Sequence, residues 1–194
     1  MKQTDSRLSR DEIVSAVAHL IANEGLENLT MRHIAKEVGC SVGTLPHYFS
    51  GKEDIVIAAL NWSSDRIMSR LSAMPPSEIK LENLYSLMSA SMPLGELSDI
   101  EWRVRMCLWD YAVTNEDTRD IVNAISKVAT DILVELLDYL QTIGEVRKDI
   151  NRETTALAIY QMCIGAGFTM LHTALDTREA QLKPLYNFIE TIRA

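Results

Sequence analysis

The stretch Leu29–Ile55, LTMRHIAKEVGCSVGTLPHYFSGKEDI, constrains the fold more than any other part of the chain. Met31, Ile34, Ala35 and Val38 recur at the three-to-four spacing of a helix with one inward face. Thr30 stands at its start as a cap, and Gly39 ends it. Ser41 then caps a second short helix that closes on His47, Tyr48 and Phe49. Ser50 and Glu53 have the capping-box spacing that opens a further, longer helix. Two short helices joined by a glycine turn form a helix-turn-helix.

The same punctuation organises the rest. Ser9 and Glu12 box a first helix that ends at Gly25 and turns Ile13, Val17, Leu20 and Ile21 inward. The helix opened by Ser50 runs through Ala59, Trp62 and Ile67 to about Leu71, and Pro75-Pro76 breaks the chain. Further helices are expected over about 77–91, over 98–113 behind a Ser98/Glu101 box, and over 117–140 behind Asn115. The last of these carries Ile121, Ile125, Val128, Ile132 and Leu136 on one stripe. After a turn at Gly144 come a helix over 152–175 and a final one ending near Ile192, starting after Thr177 or at Pro184. No run alternates as a strand would. The reading is all-α, about nine helices, with a three-helix N-terminal part over 1–55 and a helical remainder over 56–194.

Composition removes several classes of function. The 194 residues are 47% hydrophobic, enough for two cores. Charged residues crowd the N-terminus, so no signal peptide is expected and a cytoplasmic location is. Three widely spaced cysteines, Cys40, Cys107 and Cys163, predict neither a disulfide framework nor a metal site. Residues 154–175 lack Asp, Glu, Lys and Arg, but Gln161, His172 and several threonines argue against a membrane span. A buried helix is expected instead, one face on a cavity and the other at a subunit interface, with Gly165, Ala166 and Gly167 permitting close approach. No HExxH, GxSxG, CxxC or phosphate-binding glycine loop is present. Neither enzymatic activity nor a cofactor is expected.

A helix-turn-helix places its second helix in a major groove. The net charge is −8, and the first sixty residues hold six Lys/Arg against eight Asp/Glu, so bulk attraction cannot drive binding to a polyanion. A few well-placed groups must do it. Ser41 leaves the Gly43 and Thr44 N–H groups at a helix start, Gly43 lets backbone approach bases, and Thr44 can reach a base edge. Thr30 and Arg32 can meet one phosphate strand, and His47, Tyr48 and Lys52 the other. Each has a plainer role: Thr30, Ser41 and Ser50 as caps, Tyr48 as a core edge, Arg32 and Lys52 as solvated charges. Their joint order within one window favours double-stranded DNA.

Thr30, Ile34, Ala35, Gly39, Val42, Leu45, Tyr48, Phe49 and Lys52 together resemble the DNA-binding domain of the tetracycline-repressor (TetR) family. The resemblance implies contacts from Thr30, Arg32, Ser41, Gly43, Thr44, His47, Tyr48 and Lys52. Pro46 departs from it: a phosphate-touching tyrosine is usual there, and proline implies a tightened or bent recognition helix. The resemblance further implies a DNA-binding domain over 1–55 and a ligand-binding and dimerisation domain over 56–194. Residues 99–113, with Trp102, Met106, Trp109 and Tyr111, resemble the choline-responsive betaine-synthesis repressor branch. The expected ligand-binding set is Met88, Trp102, Met106, Trp109, Asp110 and Tyr160, with Asp110 beside Trp109 and Tyr111 as a cage for a cation or, alternatively, paired with an arginine. The expected dimer interface is Gly165, Phe168, Met170, Leu171, Leu185, Phe188, Ile189 and Ile192. The expected function is a homodimeric repressor that releases a palindromic operator when a small-molecule effector binds. The alternative is a thiol-responsive regulator acting through Cys40 at a helix start.

Overall fold

The computed structural model describes residues 8–71 and 79–194, and these build eight α-helices, one six-residue 3-10 helix and two shorter 3-10 turns. The order is α1 (Arg10–Glu24), α2 (Met31–Glu37), the 3-10 helix Val42–His47, α3 (Lys52–Leu71) and α4 (Leu81–Ala90). Then come α5 (Glu96–Thr114), α6 (Glu116–Thr142), α7 (Arg152–Met170) and α8 (Lys183–Thr191). Pro75, Pro76 and Ser77 lie outside the described residues. Among those described, the only β pairing is an isolated bridge between Val146 and Arg193. No described helix is long and apolar enough to cross a membrane.

Local chemistry sets the ends. Ser9 accepts from Glu12 N–H, and Glu12 accepts from Ser9 N–H at 2.7 Å. That second bond holds the Glu12 carboxyl below its usual pKa. Asn115 and Asn151 cap α6 and α7 through bonds from Thr118 and Thr154 N–H, each 2.8 Å. Gly25, Gly39 and Gly144 follow α1, α2 and α6 with φ of 81°, 71° and 80°, in the left-handed region that glycine enters without strain.

Two expected caps form differently. Ser50 bonds to Asp54 rather than Glu53, through its backbone N–H at 3.0 Å. Glu53 instead faces Asn115. At α5 the helix begins two residues early, and Ser98 Oγ accepts from Gly95 N–H at 3.0 Å. Glu101, freed from capping, is wholly buried. Pro184 falls in the first turn of α8, where its missing N–H costs nothing, and this resolves where the last helix begins.

Two cores share α5. The first gathers α1, α2, Leu45, Phe49 and α3 as far as Leu60, and takes Val104 and Leu108 from α5. The second joins α4, Trp102, the C-terminal half of α6, α7 and α8. α3 runs unbroken from the first into the body. There Glu101 accepts from Arg66 at 3.1 Å and from Arg70 at 3.1 and 2.5 Å. Arg70 also donates to the Ala90 carbonyl at the end of α4. A buried carboxylate needs such partners, and stripping them costs ~3–5 kcal/mol.

The uncharged part of α7, from Thr154 onward, is not buried all round. Ala156, Ile159, Cys163, Gly167 and Met170 face the core, while Leu157 and Phe168 are exposed at 45% and 51%. This corrects half of the expected dimer surface. Met170, Leu185, Ile189 and Ile192 all lie in this chain's own core. The nine-residue α8 has one apolar face, and that face is spent on α7. Backbone bonds from Arg147 to Ile192 and from Ala194 to Glu145 fasten it there. Gly165, Phe168, Leu171 and Phe188 keep exposed surface.

Gly165 and Gly167 differ in what they permit. A Cβ on Gly165 would meet nothing within 4 Å, whereas one on Gly167 would stand 2.1 Å from the Trp102 ring. Gly167→Ala is expected to lose ~1–3 kcal/mol of stability in urea unfolding, because overpacking against a buried indole outweighs the gain in helix propensity. A gain in stability would show that Trp102 moves aside freely.

Candidate nucleic-acid interface and effector cavity

The 3-10 helix owes its form to Pro46. A proline has no N–H to return to Val42, so the i→i+4 bond of an α-helix is missing where a six-residue segment can least spare it. The segment winds tighter, and residues three apart eclipse. Leu45 is fully buried as its anchor, and Thr44 shares a side with His47. Ser41 starts it through its carbonyl, which accepts from Thr44 N–H at 3.0 Å. The Ser41 hydroxyl does not cap; it lies 2.9 Å from the Thr44 hydroxyl.

Around this element the expected DNA-facing residues divide. Thr30, Arg32, Ser41, Gly43, His47 and Lys52 are exposed, and Thr44 is half-buried. Thr30 accepts from His33 N–H at 3.1 Å, which leaves its own proton free to donate. Lys52 donates to the Leu26 carbonyl at 3.2 Å, so one of its three N–H bonds ties α3 to the loop before α2. Tyr48 is committed further: its hydroxyl donates to the Leu8 carbonyl at 2.6 Å and fixes the segment leading into α1. Its role here is the core-edge one. Phe49 is buried, with the Arg10 guanidinium 4.9 Å from its ring centre. Cys40 donates its thiol proton to the Ser41 carbonyl at 3.4 Å, and all three cysteines are free. Nothing in this arrangement supports a thiol switch.

A cavity of about 740 Å³ opens between α3, α4, α5, α6 and α7. Met88, Trp102, Trp109 and Tyr160 line it. Met106 and Asp110 do not. Met106 packs against the second core, and Asp110 is exposed. Successive helical residues diverge by about 100°, so turning Trp109 inward turns Asp110 out and dissolves the expected cation cage. Nor does Asp110 pair with a neighbouring arginine: Arg103 bonds to Asp99 at 2.5 Å, and Arg105 faces the cavity. The α6 stripe of Ile125, Val128, Ile132 and Leu136 forms one wall.

Arg105 is the one basic residue among the described lining residues. Burial lowers its pKa to about 10, partly opposed by Tyr160 and Glu101. Its guanidinium stands 5.1 Å from the Trp102 ring centre, and the Trp102 N–H donates to the Ser91 carbonyl at 2.7 Å. Tyr160 donates to Ser126 at 2.9 Å. Burial pushes the lining Cys163 thiol up to about 12, which keeps it protonated. Arg105, Ser64 and the α3 lining residues escaped the sequence reading. The available signal was that Arg105, unlike Arg103, stands one helical turn from both Trp102 and Trp109.

Comparison with known proteins agrees with this geometry. Residues 13–59 match the bacterial regulatory proteins of the tetR family. Residues 80–193, more than half of the chain, match the C-terminal domain of BetI-type transcriptional repressors. The transcriptional regulator PksA of Bacillus subtilis is 24% identical over 90% of this chain and 83% of its own. BetI of Escherichia coli strain SE11 is 21% identical over 92% and 88%. A Saccharomonospora viridis protein, described as a transcriptional regulator and crystallised with choline, superposes with a TM-score of 0.85 at 25% identity, covering 95% of this chain and 97% of that one. The chain belongs to the tetR family of DNA-binding transcriptional regulators, with a C-terminal domain of the BetI type.

Tyr48→Phe is expected to cost about 1 kcal/mol of stability through the lost bond to Leu8, and to leave the DNA affinity of the folded protein unchanged at fixed salt. Weaker binding at every site alike would return the Tyr48 phenol to a phosphate.

Proposed function

We propose that the protein is a homodimeric repressor that holds a palindromic operator and releases it when a small molecule fills the 740 Å³ cavity. Residues 1–55 act as the DNA-binding head, and 56–194 as the ligand-binding and dimerising body. The observation that carries this is the continuity of α3. Its first turns sit in the head core, and its later turns line the cavity and grip Glu101. Any ligand that favours one placement of α3 over another favours one placement of the head.

In this reading Thr44 meets bases, while Thr30, Arg32, Ser41, His47 and Lys52 meet phosphates around it. Gly43 admits the backbone. The dimer forms across the exposed side of α7 and α8, with Gly165, Phe168, Leu171 and Phe188 in the contact. A two-fold pairing sets half-sites one helical turn apart, about 34–36 Å. The exposure of Phe168 supports this placement, as a bare aromatic on a small-residue helix face is best covered by a second copy.

The test is titration of DNA from the gene's own upstream region at several salt concentrations. Thr44→Ala is expected to change which sites bind. Lys52→Ala should weaken all sites alike and lower the salt slope by about one. If both variants bind as the parent does, this contact map is wrong. Phe168→Glu should yield monomers in analytical ultracentrifugation and weak, non-cooperative DNA binding; an intact dimer would move the interface elsewhere.

A further inference from the structure

The cavity wall carries a charge that the chain itself does not neutralise. Among the described residues Arg105 makes no hydrogen bond and no ion pair, although its stem and guanidinium are set into the wall of a mostly apolar chamber. The nearest carboxylate on its helix is Glu101, one turn back, and that group is already shared by Arg66 and Arg70. Two guanidinium groups therefore hold that carboxylate, and a third, Arg105, makes no ion pair with it and faces the cavity. A half-buried cation without an anion is costly, and a ligand that supplies one recovers part of that cost. Two hydroxyl-bearing residues from other helices line the same cavity. Tyr160 lies close enough to influence the Arg105 charge. Ser64 has a buried oxygen with no hydrogen-bond partner among the described residues.

The same features disfavour a cationic occupant. A quaternary ammonium seeks open aromatic faces; the Trp102 ring already has the Arg105 guanidinium over it, and the other lining aromatics, Trp109, Tyr139 and Tyr160, share the chamber with that fixed positive charge. Asp65 and Glu135, the acidic lining residues, are exposed and solvated rather than enclosed. The remaining surface is apolar: Ile125, Val128, Ile132 and Leu136 on one side, with Met88 and Met92 opposite. Such a chamber fits an elongated apolar body and is far larger than a choline-sized cation needs.

Taking the cavity as the effector site, we infer that the effector is an anionic amphiphile, a carboxylate on an apolar body, whose headgroup pairs with Arg105. The carboxylate accepts two parallel N–H bonds from the guanidinium and a further bond from the Ser64 hydroxyl, which has no other partner among the described residues. The apolar body lies along the α6 stripe. Binding adds negative charge one turn from Glu101 and so reaches the arginines of α3 directly.

The test uses three probes of equal chain length: decanoate, decanamide and decyltrimethylammonium, with choline as a fourth. Binding is read from Trp102 and Trp109 fluorescence and from calorimetry on the full-length protein. Decanoate is expected to bind at least tenfold more tightly than the amide or either cation, and about fourfold more tightly for each methylene added between octanoate and decanoate. Arg105→Met should weaken decanoate at least tenfold while leaving decanamide unchanged. Tighter binding of choline or decyltrimethylammonium than of decanoate overturns the inference, as does absence of decanoate binding at millimolar concentration. The comparison of probes on the parent protein needs no variant, so a misfolded Arg105→Met leaves it decisive. Decanoate that binds through Arg105 but leaves DNA affinity untouched sustains this inference and counts against the repressor mechanism instead.

Discussion

The buried carboxylate of Glu101 binds the architecture together. It lies on α5, which gives buried residues to both cores, and it is held by two arginines of α3, the helix that runs from the DNA-binding head into the body. A charge with no solvent exposure is stable only while both partners stay in place. The position of α3 relative to α5 is thus fixed by electrostatics as well as by packing. Arg70 extends the knot to α4 through the Ala90 carbonyl. Three helices that line the cavity meet at one ionic centre, and one of them carries the head.

This geometry gives the family's general plan a specific form. The head has no net positive charge to draw it to DNA, so binding must depend on geometry: a short 3-10 helix, backbone N–H groups and a handful of exposed polar side chains. Such a head is sensitive to small changes in its orientation, because it has little non-specific attraction to hold it while misplaced. Under the proposed mechanism a modest shift of α3, driven from the cavity, would then suffice.

Most of the fold was legible in the sequence because helix ends are chemically marked. Ser9 with Glu12, Thr30, Asn115 and the three left-handed glycines each act where the pattern places them. Pro46 was legible too, since a missing N–H forces the tightening seen. The errors share one cause: helical periodicity gives a residue's face but not what that face meets. Glu101 had capping spacing, yet its helix began two residues earlier and carried it inside. Met170, Leu185, Ile189 and Ile192 were apolar and C-terminal, as an interface would be, but a short α8 needed them for its own docking. Asp110 and Arg105 lie on one helix; only their angular relation to Trp109, fixed by how α5 sits between the cores, sent one to solvent and the other to the cavity. Tyr48 and Lys52 were found as polar and near the motif, but their long-range partners, Leu8 and Leu26, are invisible to local spacing.

In the proposed mechanism the coupling between the cavity and the head runs through the Glu101 knot. The direct measurement is fluorescence anisotropy of operator binding, with and without saturating effector, for the parent protein and Glu101→Gln. Effector should weaken operator binding about tenfold or more in the parent, within the usual range of allosteric coupling, and less than about twofold in the variant, whose neutral side chain no longer fixes α3. A folded, dimeric Glu101→Gln protein that responds to effector as fully as the parent would contradict it.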